Sequence, residues 1–304
     1  MRIVPFGVQD IARLIAVTAA RSLLCFSSSC LCKIIFSRLT AGCAVHQQQK
    51  HMKTGSYISI AALMLIPSLS TFAYAQEHKN GHWGYDGEEG PSHWGDLNPD
   101  YAACKTGRNQ SPIDIRDAKK TDLPAIQFNY KESPLHIIDN GHTIMINYSA
   151  GSSIRAGDKQ YTLKQFHFHR PSEEKIDGKS HDMVLHLVHA DQDGNLAVVA
   201  VLLDQGEDNS LIRELWKNLP KEKGKEGLLD TVRINAADML PSDRGYYTYA
   251  GSLTTPPCSE NVTWFVLKHP LTVTSGEIER FSNLYPHDAR PTQPLNGRVV
   301  LESK

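Results

Sequence analysis

The sequence predicts a mainly β (α+β) protein, a single sheet-dominated domain over residues 76–304 with short peripheral helices. Three observations carry this reading. Short β-rich or alternating runs recur along the chain, Gly-containing turns separate several of them, and no repeat, low-complexity tract or Pro/Ser linker divides the stretch.

After a polar, Gly-rich entry over 78–100, the β-rich runs are 135–138, 143–147, 161–169, 182–190, 196–203 and 262–267. Turn dipeptides stand between several of these, at Asn140-Gly141, Asp177-Gly178 and Asp193-Gly194. Two segments, 210–219 and 275–285, have helical spacing. The second opens with Ser275 as N-cap and Glu277 in its first turn, where an acid favours the helix dipole.

Charge divides the chain unequally. The whole sequence has 32 basic and 33 acidic side chains, a net of −1, which excludes the broad cationic field that nucleic-acid binding requires. Residues 1–75 hold seven of the basic groups (Arg2, Arg13, Arg21, Lys33, Arg38, Lys50, Lys53) and a single acid, Asp10, leaving a net of −7 on 76–304. Within the basic segment, Met52-Lys53 precedes an apolar run over 57–66 and the small-residue site Ala73-Tyr74-Ala75. That pattern reads as a signal peptide over 52–75, cleaved before Gln76, and the run is too short and too broken by Pro67 and serines to span a bilayer. Residues 1–51 then read as an upstream extension or a misassigned start, with an Arg- and Ser-containing targeting segment as the rival. An N-terminus at Gln76 in the exported protein supports cleavage; peptides from 1–51 overturn the misassigned start.

Export places Cys104 and Cys258, the two cysteines beyond the leader, in an oxidising compartment where they are expected to pair. On the chain-entropy model such a long loop closure stabilises by about 4–5 kcal/mol.

The chemistry concentrates on histidine. In Gln165-Phe-His-Phe-His169 the strand period of two turns Gln165, His167 and His169 to one face and Phe166 and Phe168 to the other. A second strand, Val184-Leu-His-Leu-Val188, follows the turn at Gly178, so antiparallel pairing brings His186 opposite the His167/His169 pair. Three neutral imidazoles suit Zn2+, and three protein ligands leave one position open, the mark of a catalytic site. Taken singly, each histidine is more often a hydrogen-bonded core or surface residue.

These residues do not stand alone. Gln165-Phe-His-Phe-His169, Pro171-Ser-Glu173, His186-Leu-Val-His189, Tyr249-Ala-Gly-Ser-Leu-Thr-Thr-Pro-Pro257 and Val262-Thr-Trp264 resemble the α-class carbonic anhydrases, in the family's order. The resemblance runs from His82-Trp-Gly-Tyr85 to Arg298 and includes Asn109-Gln-Ser-Pro-Ile113, Asn140-Gly-His142 and Arg290-Pro-Thr-Gln-Pro294. It implies a large twisted, mostly antiparallel central sheet of about ten strands. It further implies Zn2+ held by His167, His169 and His186, and reversible hydration of CO2 to bicarbonate and a proton by attack of zinc hydroxide.

By matched position, Thr254 accepts the hydroxide's proton and passes its own to Glu173, while Val188, Val198, Leu253, Thr255 and Trp264 line the substrate pocket. His142 matches the proton shuttle, a group titrating near neutrality. Tyr85 and Asn140 match residues that organise the water chain to it, and Gln165 matches the partner of His167. The Cys104–Cys258 pairing also resembles that of secreted bacterial members. Sulfonamides and small anions are the implied inhibitors. The resemblance allows a homodimer and gives the mature form no nucleic-acid partner and no membrane span. Export then ends first in the periplasm, with secretion or the cell surface as alternatives. The rival function is a non-catalytic carbonic anhydrase-like binding or adhesion domain, but such domains typically lose a zinc-binding histidine.

The sequence departs from the family at three positions. Val184, two residues before His186 and on its face, stands where the family has a glutamate that holds the ligand's second ring nitrogen. Zinc is therefore expected to leave faster than from relatives that keep the glutamate, unless another group substitutes; metal-release kinetics of the wild type and Val184→Glu test this. Glu174 stands where a histidine is usual, and two adjacent carboxylates at 173 and 174 raise one another's pKa if they face each other. Met145 replaces a polar pocket residue, which alters the fit of inhibitors.

Overall fold

Alternation along one strand sets the architecture. In Lys159–His169 the side chains of Tyr161, Leu163, Phe166 and Phe168 are buried in a large apolar core, while Gln165 and His167 on the other face are half-buried. The structure, a computed structural model, describes residues 81–304, all within the unit Phe72–Lys304; the signal-peptide and upstream readings over 1–75 lie outside the described residues.

The main sheet has thirteen strands, ten of them along one path. That path runs Glu226–Ile234, Ser133–Asp139, Ile144–Asn147, Lys159–His169, Met183–Ala190, Leu196–Gln205, Glu260–Leu267, Tyr246–Ser252, Leu301–Ser303 and Lys119–Thr121. Most neighbours are antiparallel. Leu196–Gln205 runs parallel to both Glu260–Leu267 and Leu271–Val273, as does Leu301–Ser303 to Lys119–Thr121. The ten-strand expectation describes this path, and the sheet is larger by the strands that branch from it. A separate three-stranded sheet is formed by Asp114–Ile115, Lys175–Ile176 and Lys179–Ser180, strands of only two residues that are too short to show a period in the sequence. Its turn has Asp177 at φ 49° and Gly178 at φ 80°, the left-handed pair that a tight hairpin needs.

All six β-rich runs are strands with ends shifted by at most a few residues. Tyr246–Ser252 escapes the pattern because Gly251 interrupts it. A Cβ at Gly251 would lie 2.2 Å from Ser111 Oγ and 2.8 Å from Trp264 Cδ1, so glycine is what lets this strand close on Trp264.

Two helices cover the face away from the histidines. Ser210–Lys217 is capped by Asn209, whose side chain accepts the amides of Leu211 and Ile212. Ser275–Ser282 is capped by Thr274 rather than Ser275: Thr274 and Glu277 bond reciprocally, and three-residue spacing makes the capping box while Ser275 is already helical. Trp216 of the first helix stacks on Phe281 of the second at 5.8 Å and meets Phe168 edge-on at 5.0 Å. Phe168 is fully buried, so Phe168→Ala is expected to cost about 3–5 kcal/mol, read as a lower urea midpoint with unchanged slope.

Cys104 and Cys258 are bonded, with Cα atoms 5.0 Å apart across a sequence separation of 154. The bond ties the short helix Ala103–Thr106 to the loop that follows Thr254.

Candidate active site

Register places the three histidines. His186 is the direct cross-strand partner of His167, and Val184 is the partner of His169. The row continues sideways, from Met145 through His167, His186 and Ala200 to Val266. One row over, Gln165, Val188, Val198 and Trp264 pair in the same succession. Polar ligating groups and an apolar wall are thus adjacent rows of one sheet face. Trp264 is almost fully buried, its indole lies 4.9 Å from the His186 ring, and its Nε1 donates to the Ser252 carbonyl at 3.0 Å.

The three imidazoles offer ring nitrogens that all lie within 4.8 Å of one another. Each ring has its other nitrogen engaged. His167 Nδ1 meets Gln165 Oε1 at 2.8 Å, His169 Nδ1 meets the Asp288 carbonyl at 2.7 Å, and His186 Nε2 lies 3.2 Å from Glu174 Oε1 and 3.3 Å from Oε2. The free nitrogens are therefore Nε2, Nε2 and Nδ1. His169 Nε2 is buried with no hydrogen-bond partner among the described residues, an unsatisfied position that a bound cation would fill. Burial, and then the neighbouring imidazoles, hold His167 and His186 well below the ordinary histidine pKa, so both are neutral donors.

Glu173 stands behind the triad. Its Oε1 accepts the Arg290 amide at 2.8 Å, and its Oε2 lies 3.6 Å from His169 Nε2 and 3.8 Å from His186 Nδ1. Burial pushes its pKa well up and the Glu174 charge adds to this, while the Thr254 hydroxyl and the Arg290 amide pull it back. Burial likewise raises Glu174 and Asp288, each to about 7. Arg290 is the buried cation among them, donating to Gln110 Oε1 and the Ser111 carbonyl.

The other expected residues fall around this centre. Thr254 is buried beside Glu173, with Leu253 and Thr255 half-buried on either side of it. Val188 is half-buried and Val198 fully so. His142 stacks face to face on Trp83 at 3.7 Å, a contact that sequence spacing does not signal. Burial, then the nearby His82 and Lys223, lower the His142 pKa from its ordinary value. Asn140 is exposed and uses its Oδ1 to accept the amides of His142 and Thr143, so it builds the turn that carries His142. The Tyr85 hydroxyl is buried without a hydrogen-bond partner among the described residues, and its pKa is raised well above the usual range by burial and by Glu173.

At Val184 the exception applies: Val184 is buried and apolar, and Glu174 reaches His186 Nε2 from the loop before Lys175–Ile176. Asp288 and Arg290, which hold His169 and Glu173 through backbone atoms, were also out of reach of side-chain reasoning.

A sheet face with three converging imidazoles, an adjacent apolar row and a buried carboxylate is the architecture of a metal-dependent enzyme. A model of the eukaryotic-type carbonic anhydrase family matches residues 89–304. A carbonic anhydrase of Klebsiella pneumoniae is 43% identical over 255 residues, covering 83% of this chain and 100% of that protein. One of Nostoc sp. is 42% identical over 230 residues, covering 74% and 87%. Among solved structures, a hyperthermostable carbonic anhydrase from an active hydrothermal vent chimney superposes with a TM-score of 0.72 at 48% identity, covering 73% of this chain and 100% of that one. The α-carbonic anhydrase of Thermovibrio ammonificans, solved with the inhibitor sulfanilamide, gives 0.71 at 43% identity, covering 73% and 99%. The chain belongs to the eukaryotic-type, or α, carbonic anhydrase family, whose activity is the hydration of CO2.

Proposed function

We propose that this chain is an exported zinc enzyme that interconverts CO2 and bicarbonate, with His167, His169 and His186 as the metal ligands. The observation that carries this is the arrangement of the ring nitrogens: one of each imidazole held, the other converging, and His169 Nε2 buried without a partner among the described residues. When bound, Zn2+ supplies a Lewis acid that acidifies a coordinated water, an effect for which carbonic anhydrase is itself the reference case. Neutral ligands leave the ion's full charge to act.

The chain's own residues do the rest. Glu173, fixed at Oε1 by the Arg290 amide, takes the Thr254 hydroxyl hydrogen, so that Thr254 Oγ1 acts toward the pocket as an acceptor. Val188, Val198, Leu253, Thr255 and Trp264 give an uncharged substrate an apolar surface to rest on. Tyr85 and Asn140 border the path to His142, which takes the released proton to buffer. Sulfonamides and small anions compete at the ligand face, as the sulfanilamide complex of the T. ammonificans enzyme suggests. The leader pattern and the disulfide support export, periplasmic first, and among the described residues no helix is long and apolar enough to cross a membrane.

Stopped-flow CO2 hydration by the zinc-loaded protein tests the reading: turnover blocked by sulfanilamide, lost on chelation and restored by zinc supports it. Folded, zinc-replete protein that adds nothing to the uncatalysed rate would instead favour the binding-module function.

The shuttle gives a pH prediction. Only neutral His142 accepts a proton, and its lowered pKa keeps it neutral to more acidic pH than a free imidazole. In weak buffer the acid limb of kcat assigned to this group is expected below pH ~6.5. His142→Ala should reduce kcat on the order of 10²-fold in weak buffer, with kcat/KM little changed and rescue by added imidazole. Equal loss at all buffer concentrations would count against the role.

A further inference from the structure

We propose that Glu174 is the positioning residue for His186, a carboxylate supplied by a loop where the strand itself supplies only Val184. The proposal rests on the zinc reading above and concerns this chain's own residues. His186 is 1% exposed, and its Nε2 lies 3.2 and 3.3 Å from the two oxygens of a carboxylate that is completely buried. Nδ1 faces the converging nitrogens of His167 and His169, where a ligand presents its lone pair; that tautomer places the ring hydrogen on Nε2, which donates it to Glu174. The neighbour on His186's own strand face, Val184, can do none of this. It is fully buried and packs with Val198, Ala200 and Leu202.

The loop is built to hold Glu174 there. Ser172 Oγ donates to the Glu174 carbonyl at 2.7 Å and accepts the His181 amide at 2.9 Å, while the Ser172 amide donates to the His181 carbonyl at 3.0 Å. One residue further, Lys175 pairs in parallel with Asp114, its amide on the Ile113 carbonyl. Glu174 thus enters the site from a backbone anchored on both sides, through Ser172 on His181 and through Lys175 on Ile113. Glu173, its neighbour, faces the opposite side of the His186 ring, 3.8 Å from Nδ1. The two carboxylates divide the ring between them.

Zinc release into excess chelator, followed with a chromogenic metal indicator, reads the role without activity. Glu174→Ala is expected to release zinc about 10–100-fold faster, the range for partners behind metal-bound histidines, carbonic anhydrase among them. Val184→Glu in that background should restore slow release, which a merely structural role for Glu174 would not predict. In the wild-type background Val184→Glu should slow release little, because Nε2 is already held. Should Glu174→Ala not fold, Glu174→Gln serves. Its amide keeps the shape but weakens the bond, and the Nε2–H resonance of His186 in 15N-histidine-labelled, zinc-loaded protein is expected to move. Wild-type release from folded Glu174→Ala, or an unmoved Nε2–H resonance in Glu174→Gln, overturns the proposal. Failure of the wild type to take up one zinc per chain would instead overturn the zinc reading.

Discussion

His169→Ala is expected to abolish zinc retention and CO2 hydration together, a larger loss than the ~10–100-fold that follows removal of a partner behind a ligand. Of the three imidazoles His169 is the most constrained. It is 1% exposed, its Nδ1 is fixed on the Asp288 carbonyl, and its Nε2 has nothing else to bond among the described residues. Its removal leaves His167 and His186 facing each other across one strand pair, two donors where a stable neutral site needs three. The fold should survive, because Phe166 and Phe168 pack on the other face of the same strand. Metal content after dialysis against chelator is the direct measurement. Thermal melts give an independent one: a ligand that binds only the native state adds RT ln(1 + [L]/Kd), so zinc should raise the wild-type Tm and leave that of the variant almost unmoved. A variant holding one zinc per chain through chelation would remove His169 from the ligand set.

Why so much of this site can be read from the sequence is a matter of strand geometry. A period of two, a turn at Asp177-Gly178 and antiparallel pairing suffice to set His186 opposite the His167/His169 pair, and the structure makes His167 its direct partner. The same alternation assigns Phe166 and Phe168 to the core. What the period cannot reach is anything crossing between elements by a path that has no period. Glu174 enters from a loop, Asp288 and Arg290 act through backbone groups far along the chain, and Trp83 meets His142 across a long separation. The family resemblance supplies roles for matched positions, but at Val184 it points to a missing partner, and the geometry returns that partner from residue 174. Long-range compensation of this kind is invisible to position-by-position matching because each departure, taken alone, reads as a loss.

Thr254→Val is expected to lower kcat/KM roughly 10²-fold while zinc content stays at the wild-type level, the scale of removing one preorganised polar group from a reacting centre. Valine keeps the shape of the side chain and deletes the hydroxyl. In the proposed site that hydroxyl has a single hydrogen, and the Glu173 carboxylate, whose Oε1 is held by the Arg290 amide, takes it. With its hydrogen engaged, Thr254 Oγ1 can only accept on its other side. It therefore admits to the ligand face a group that has a proton to give, and sets the direction of that group's lone pairs. Glu173→Gln tests the same logic from behind. An amide can present its NH2 to Thr254, reversing the bond, so a comparable loss is expected although every atom position is retained. Thr254→Ser, which keeps the hydroxyl, should recover most of the activity. If valine were tolerated within a few-fold, the pair would be a packing contact and the orientation would have to come from the triad alone. Losses in Thr254→Val and Glu173→Gln that fail to add in the double variant would show the two acting as one unit, as a single hydrogen bond requires.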